Sequence, residues 1–157
     1  VGWRFCLDHL QFHLCSWLKQ KINNMSAETD LKNLLRSLSP ILLEPRYVFC
    51  TIASGQYGDG KEAMPIASFQ EREGLTLVVT AENAAACGLD YQGVFRCISL
   101  QVHSSLEAVG LTAIVSGKLA AYEISANVIA GYYHDHIFVP EQFADEALER
   151  VRNLNKF

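Results

Sequence analysis

The segment 103–110 combines polar side chains with a glycine at a point where the sequence pattern changes. Apolar residues alternate before this segment and recur at helical spacing after it, so it should join a strand to a helix. Gly110, at the opening turn of that helix, would let a ligand approach backbone N–H groups that lack intrahelical partners. Such a helix start attracts carboxylates and other anions. The alternative, which the residue types alone favour, is that Ser104 or Ser105 caps the helix and Gly110 only permits close packing.

The turn His134-Asp135-His136 places two histidines around an aspartate between two predicted strands. Two such histidines can both reach a metal ion, with Asp135 orienting one of them or serving as a ligand. A third ligand would have to be His103, the only other histidine of residues 25–157. The alternatives are that Asp135 makes hydrogen bonds within the turn or faces the ammonium group of a ligand.

Asn127 is a polar residue within an otherwise apolar predicted strand, residues 124–133. A buried amide needs hydrogen-bond partners. The side chain therefore bonds either to neighbouring backbone or to a ligand, and the sequence leaves both readings open.

Common catalytic motifs are missing from the sequence. It has no Gly-x-Ser-x-Gly elbow. Three glycines precede Lys61, but no Ser or Thr follows this lysine as a phosphate-binding loop requires. We therefore predict a non-catalytic protein without a cofactor.

The elements that must position these residues fall into two halves. The first half predicts α-β-β-β-α, with a helix around residues 31–38, strands at 47–54, 65–71 and 75–80, and a helix at 81–87. The second half predicts β-α-β-β-α, with a strand at 95–103, a helix at 107–122, strands at 124–133 and 136–139, and a helix that begins after Pro140. The second order is that of a ferredoxin-like α+β module with an antiparallel sheet. Neither half has four strands of its own, which leaves open a strand shared between them.

Composition limits the class of protein. Half of the 157 residues are hydrophobic and 19% are charged, as in globular proteins. The net charge of -4 provides no basic excess for a nucleic-acid partner. The five cysteines include no Cys-x-x-Cys pair, which favours a reducing, cytoplasmic location. No apolar run approaches the ~18 residues of a membrane span.

Residues 1–24 differ in composition from the rest and contain both tryptophans. We expect them to be an extension outside the fold; the alternative is an amphipathic helix that docks on the body or on a partner. The predicted modules are residues 25–92 and residues 93–157.

The run from Ile98 to Val139 resembles the ACT domain, an amino-acid-binding regulatory module. Residues 25–157 as a whole resemble stand-alone bacterial proteins with two ACT-type modules: segments 47–50 and 71–76 match the first module, and segments 103–110 and 134–140 match the second. The resemblance implies two ferredoxin-like, βαββαβ-related modules and a regulatory role.

The second half also resembles the ACT modules of eukaryotic cytosolic arginine sensors. That resemblance implies a ligand pocket lined by the loop after the first strand, by the glycine at the helix start and by Asp135. ACT domains in general use a polar residue of the second strand, which fits Asn127. The implied site consists of Ser104, Ser105, Glu107, Val109, Gly110, Leu111, Asn127, His134, Asp135 and His136.

The leading prediction is a sensor that binds an amino acid or a similar small molecule, forms a homodimer and acts on a protein partner. One alternative is a metal-binding protein or enzyme that uses His103, His134 and His136. The other is a structural dimerisation module that pairs through exposed sheet edges.

Overall fold

The computed structural model describes residues 28–155. Its helices are α1 (Leu31–Ser37), α2 (Ala81–Ala86), α3 (Leu111–Ala120) and α4 (Ala144–Arg152). Its strands are β1 (Pro40–Ala53), β2 (Ala67–Gln70), β3 (Gly74–Thr80), β4 (Phe95–Leu100), β5 (Asn127–Ala130) and β6 (Asp135–Pro140). Short 3-10 helices cover Lys61–Ala63, Glu141–Phe143 and Asn153–Asn155.

The strands form one antiparallel sheet in the order β2-β3-β1-β4-β6-β5. Strand β1 joins the two halves of the sheet: Tyr47 to Ala53 pair with β3 on one side. On the other side, Pro40 to Leu42 and, after a bulge, Arg46 and Tyr47 pair with β4. This α+β architecture confirms the predicted fold class, and β1 is the strand that both halves share.

The two halves repeat the same hairpin register. In the first half Ala67 pairs with Val78 and Gln70 with Leu75. In the second half Asn127 pairs with Phe138 and Ala130 with Asp135. In the first half a helix follows the hairpin directly. In the second half a 3-10 turn separates the hairpin from the helix. Leu75 and Asp135 therefore occupy equivalent positions in the two halves.

All four helices pack on one face of the sheet. Helices α1, α3 and α4 cover alternate residues of β4 and β6, including Ile98, Leu100, Ile137 and Val139. Helix α2 and the first 3-10 helix cover the corresponding residues of β1 and β3. On the opposite face, Tyr47, Val78, Cys97 and Phe138 form a separate buried cluster.

Several predicted boundaries are wrong. The helix expected at 107–122 begins only at Leu111, because Gly110 has the left-handed conformation, with φ 105°, and ends the preceding loop. The strand expected at 124–133 covers only 127–130, because the chain turns back at Gly131, whose N–H bonds to the carbonyl of His134. The strand expected from Phe95 ends at Leu100.

At the other end of the fold, β1 begins at Pro40, well before the predicted Tyr47. Proline is tolerated at the first residue of a strand. Pro140 ends β6, and the last helix follows it only after a 3-10 turn. Among the described residues, no helix is long and apolar enough to cross a membrane.

The cysteines of the described residues differ in accessibility. Cys50 and Cys97 are buried, as predicted for core residues, whereas Cys87 is exposed after α2. Burial raises the pKa of the Cys97 thiol to about 12. We expect iodoacetamide at pH 8 to alkylate Cys87 and to leave Cys50 and Cys97 unmodified until urea unfolds the chain. Peptide mapping by mass spectrometry checks this result, and rapid labelling of Cys97 in the native protein would contradict the fold.

Candidate functional site

The loop that follows β4 is held at its beginning by the backbone of Glu28. The N–H of Glu28 donates to the carbonyl of His103, and the N–H of Ser105 donates to the carbonyl of Glu28. Within the loop, Ser105 organises a turn: its carbonyl accepts from the N–H of Ala108, and its hydroxyl oxygen accepts from the N–H of Glu107. The loop therefore has a defined path up to the start of α3.

Gly110 is the N-cap of α3, and no side chain caps this helix. The backbone conformation of Gly110, with φ 105°, favours glycine, and a Cβ atom there would lie 3.0 Å from Leu31 Cδ2 of α1, a tight contact. The predicted capping role of Ser104 or Ser105 is thus wrong for this helix, while the predicted role of Gly110 in close packing is confirmed. The first N–H groups of an α-helix have no intrahelical partner, so those that follow Gly110 can still receive an anion.

Asp135 is half-buried on the helix-covered face, because it shares that side of β6 with Ile137 and Val139. Within residues 28–155 its carboxylate has no salt bridge and no side-chain hydrogen bond. Burial raises the pKa of the Asp135 carboxyl, and the neighbouring His136 and His134 offset part of this shift. A carboxylate in this environment gains from a cation that replaces its lost hydration.

His134 connects the hairpin turn to the loop after β4. Its Nδ1 lies 3.2 Å from the carbonyl oxygen of Val102. One residue further along that loop, the His103 ring lies 5.5 Å from the ring of Tyr133, centroid to centroid. The structure therefore brings the beginning of the loop next to the Asp135 turn.

His136 lies on the opposite face from Asp135, since it pairs with Ile129 and Ser99. Burial lowers the pKa of the His136 imidazole; His134 lowers it further, while Asp135 raises it. Within the part of the chain that the structure describes, no group of three His, Cys, Asp or Glu side chains could hold a metal ion. The three histidines of the metal alternative are thus not brought into one site.

Asn127 is also distant from Asp135 in the fold. It pairs with Phe138 at the other end of the hairpin and lies on the opposite face of the sheet. It is exposed, and its amide nitrogen lies 3.5 Å from the carbonyl oxygen of Phe138. Of its two predicted roles, the geometry favours bonding to neighbouring backbone.

Two family models, each described as an ACT domain, match consecutive parts of the chain, residues 26–96 and residues 93–153. The chain belongs to the ACT-domain family. It carries two ACT domains in tandem, as the sequence resemblance implied. No curated protein matches it.

Solved structures extend this result. A Vibrio cholerae protein of unknown function, VC0802, described as a possible transport protein, is 52% identical, with a TM-score of 0.72 over 80% of this chain and 95% of its own. Protein Atu0741 of Agrobacterium tumefaciens is 15% identical, with a TM-score of 0.59 over 75% of this chain and 89% of its own. The ligand-free regulatory subunit of aspartate kinase from Thermus thermophilus is 10% identical, with a TM-score of 0.53 over 75% of this chain and 98% of its own. The last two likenesses concern the fold.

Sequence reasoning missed several residues that lie beside the candidate site of the second ACT domain. Tyr132 and Tyr133 are exposed at the hairpin turn, and their rings make an edge contact with a centroid distance of 5.0 Å. Leu31 reaches the site from α1, which no local pattern indicates. The paired tyrosines before His134 were the available indication, because aromatic side chains commonly line ligand pockets.

The remaining predicted residues of this ACT domain lie in the loop or at the start of α3. Val109 is 84% exposed, which leaves its side chain free of core packing. Glu107 is exposed, whereas Leu111 is buried among the helices and contributes to the core.

Proposed function

We propose that this ACT protein is a non-catalytic sensor that binds an amino acid between the loop 103–110 and Asp135. One observation carries the proposal: Asp135 is a half-buried carboxylate without a salt bridge within residues 28–155, on the covered face of the sheet. Its equivalent in the first half is Leu75, an apolar residue that is buried in the core. The exchange of an apolar residue for a carboxylate at this position supports recognition of a cationic group.

The two ends of an amino acid find complementary groups here. Its ammonium would bind Asp135 in a charge-assisted hydrogen bond. Its carboxylate would meet the free N–H groups at the start of α3, beyond Gly110, where the helix dipole favours an anion. Tyr133 and His103 would border the side chain of the ligand. Asn127 and His136, on the other face of the sheet, take no part.

Family membership supports the regulatory side of the proposal, since ACT domains are regulatory modules. The aspartate kinase regulatory subunit with the same fold is, by its description, part of an amino-acid kinase. Homodimerisation and a protein partner stay predictions, and light scattering on the purified protein checks the first of them.

A thermal-shift screen over the twenty amino acids tests the ligand. A ligand at ~100 times its dissociation constant should stabilise the folded protein by about 2.7 kcal/mol. We expect Asp135→Asn to remove this shift, because the ammonium loses its charged partner. The matched control is Asp145→Asn, which removes an exposed carboxylate on α4 and should keep the shift. If no amino acid shifts the transition, or if Asp135→Asn keeps the shift, the proposed site is wrong.

Without ligand, the same variant, Asp135→Asn, should be more stable than the wild type. Because the folded-state pKa of Asp135 is raised by burial, its charged form disfavours folding, and this cost appears as the pH rises above the ordinary carboxyl range. We expect Asp135→Asn without ligand to have a higher free energy of unfolding at pH 7 than the wild type, with the difference shrinking toward pH 3. Urea titrations at both pH values measure it. A variant less stable at pH 7 would indicate a structural role for Asp135.

A further inference from the structure

A groove lies in the first ACT domain, on the face of the sheet opposite to the four helices. Its volume is ≈ 490 Å³, inside the range of about 300–1,000 Å³ that is usual for small-molecule pockets. The sheet contributes Phe49 and Thr51 of β1 and Thr76 of β3, and the segment 90–92, before β4, forms one side. The three sheet residues are exposed or half-buried, so a bound molecule can reach their side chains.

Three polar side chains form a row across this groove. Tyr91 pairs with Cys50 in an isolated antiparallel bridge, which places the preceding residue, Asp90, opposite Thr51. On its other side Thr51 pairs with Thr76 of β3. Residues directly opposite each other in an antiparallel pair point to the same face of the sheet. Asp90, Thr51 and Thr76 therefore occupy neighbouring positions on one face.

The row presents hydrogen-bond acceptors and negative charge. The hydroxyl of Thr76 donates its only proton to Glu71 Oε2, so its oxygen can only accept from a ligand. The Asp90 carboxylate is also an acceptor only, and it forms no salt bridge within residues 28–155. Burial raises the pKa of the Cys50 thiol, and the nearby negative charge of Asp90 raises it further. Among the described residues, none that lines the groove is Lys or Arg, so an anion would find no counter-charge there.

Beside this row, Phe49 supplies an aromatic surface. Its ring is held by edge contacts with Phe95 and Phe138, at centroid distances of 5.3 Å and 5.4 Å. The bridge at Tyr91 places Gln92 opposite Phe49, and the Gln92 amide adds a further polar group to the side of the groove. Aromatic rings attract cations as well as apolar groups. A cation with an apolar tail would thus find a partner for each of its two parts.

We propose that this groove binds a small organic amine that carries no carboxylate. A primary ammonium has three donors and no acceptor, which complements a row of acceptors. Asp90 binds the ammonium in a charge-assisted hydrogen bond, and the oxygens of Thr51 and Thr76 accept its remaining protons. The hydrocarbon part lies on Phe49, where contact with apolar surface replaces its hydration. An amino acid is selected against, because its carboxylate would lie close to Asp90 without a basic partner.

This groove and the proposed amino-acid site lie on opposite faces of the sheet. The inference does not depend on the proposed function, because the two sites share no residue. A protein with both sites would distinguish an amino acid from an amine with the same side chain.

The test uses isoamylamine and the full chain, with ¹H–¹⁵N spectra as the readout. We expect this amine to shift the amide signals of Thr51, Thr76 and Gln92 in a saturable manner. Asp90→Asn should weaken the affinity by at least about tenfold, because the ammonium loses its charged partner. Isoamyl alcohol, which lacks the charge, and leucine, which adds a carboxylate, should each bind at these residues at least about tenfold more weakly than isoamylamine.

Two control variants should keep the affinity for isoamylamine. Glu82→Gln removes an exposed carboxylate of α2 that does not line the groove, and Asp135→Asn removes the acid of the other site. The proposal is overturned if isoamylamine leaves the three groove amides unshifted, or if Asp90→Asn binds it as tightly as the wild type. Equally tight binding of isoamyl alcohol or leucine in the groove would also overturn it. Shifts confined to Gly110 and Gly131 would place the amine beside Asp135 and would likewise refute the proposal.

Discussion

Replacing Phe138 by alanine is expected to lower the free energy of unfolding by about 3–5 kcal/mol, the usual loss for a fully buried phenylalanine. Phe138 is 1% exposed, and its ring makes edge contacts with Tyr47 and Phe49, at centroid distances of 5.6 Å and 5.4 Å. These partners belong to β1, whereas Phe138 belongs to β6 of the second half. The substitution leaves a cavity where the two halves of the sheet meet.

We therefore expect both halves to lose stability together. Hydrogen exchange should accelerate in β3 as well as in β6, although Phe138 lies in β6 alone. Urea unfolding supplies the free energy, and exchange measured by mass spectrometry supplies its distribution along the chain. The matched control is Phe69→Ala, on the same face of the sheet but on the edge strand β2 and 54% exposed, which should cost less than about 1 kcal/mol. Faster exchange in the second half only would show that the cluster does not couple the halves.

Each helix and strand of the described residues was predicted with the correct type, whereas the predicted first and last residues often differ from the observed ones. Helix α1 was predicted around residues 31–38, and the structure adds that the side chain of Asp30 caps it by accepting from the N–H of Asn33. Strand β1 was predicted at half its length, because the segment 40–46 contains two prolines and a glutamate and lacks strict alternation. Its pairing with β4 is a tertiary effect that overrides local propensity.

The candidate site could also be predicted only in part. Gly110 could be identified because a left-handed glycine before a helix leaves a local pattern. The faces of Asn127 and His136 could not be fixed, because a change of one residue in register exchanges the two faces of a strand. The structure sets that register by pairing Ala130 with Asp135.

The second large loss of stability is expected at Gly74, where two backbone segments approach closely. Sequence patterns do not reveal such a contact. Gly74 is buried at the start of β3 and pairs with Ala53. A Cβ atom there would overlap the carbonyl oxygen of Ile52 and would lie 3.0 Å from the backbone nitrogen of Ser54. Backbone atoms of a paired strand cannot turn away as a side chain can. We expect Gly74→Ala to cost at least about 2 kcal/mol of unfolding free energy.

The matched control for this substitution lies in α3. Gly117 is exposed within the helix, and a Cβ atom there has no neighbour within 4 Å. Gly117→Ala should therefore raise the free energy of unfolding by about 0.5–1 kcal/mol, because alanine loses less backbone entropy in a helix than glycine does. Urea titration of the two variants tests the opposite signs. Equal effects would mean that β1 and β3 are not in the register that places Gly74 against Ala53.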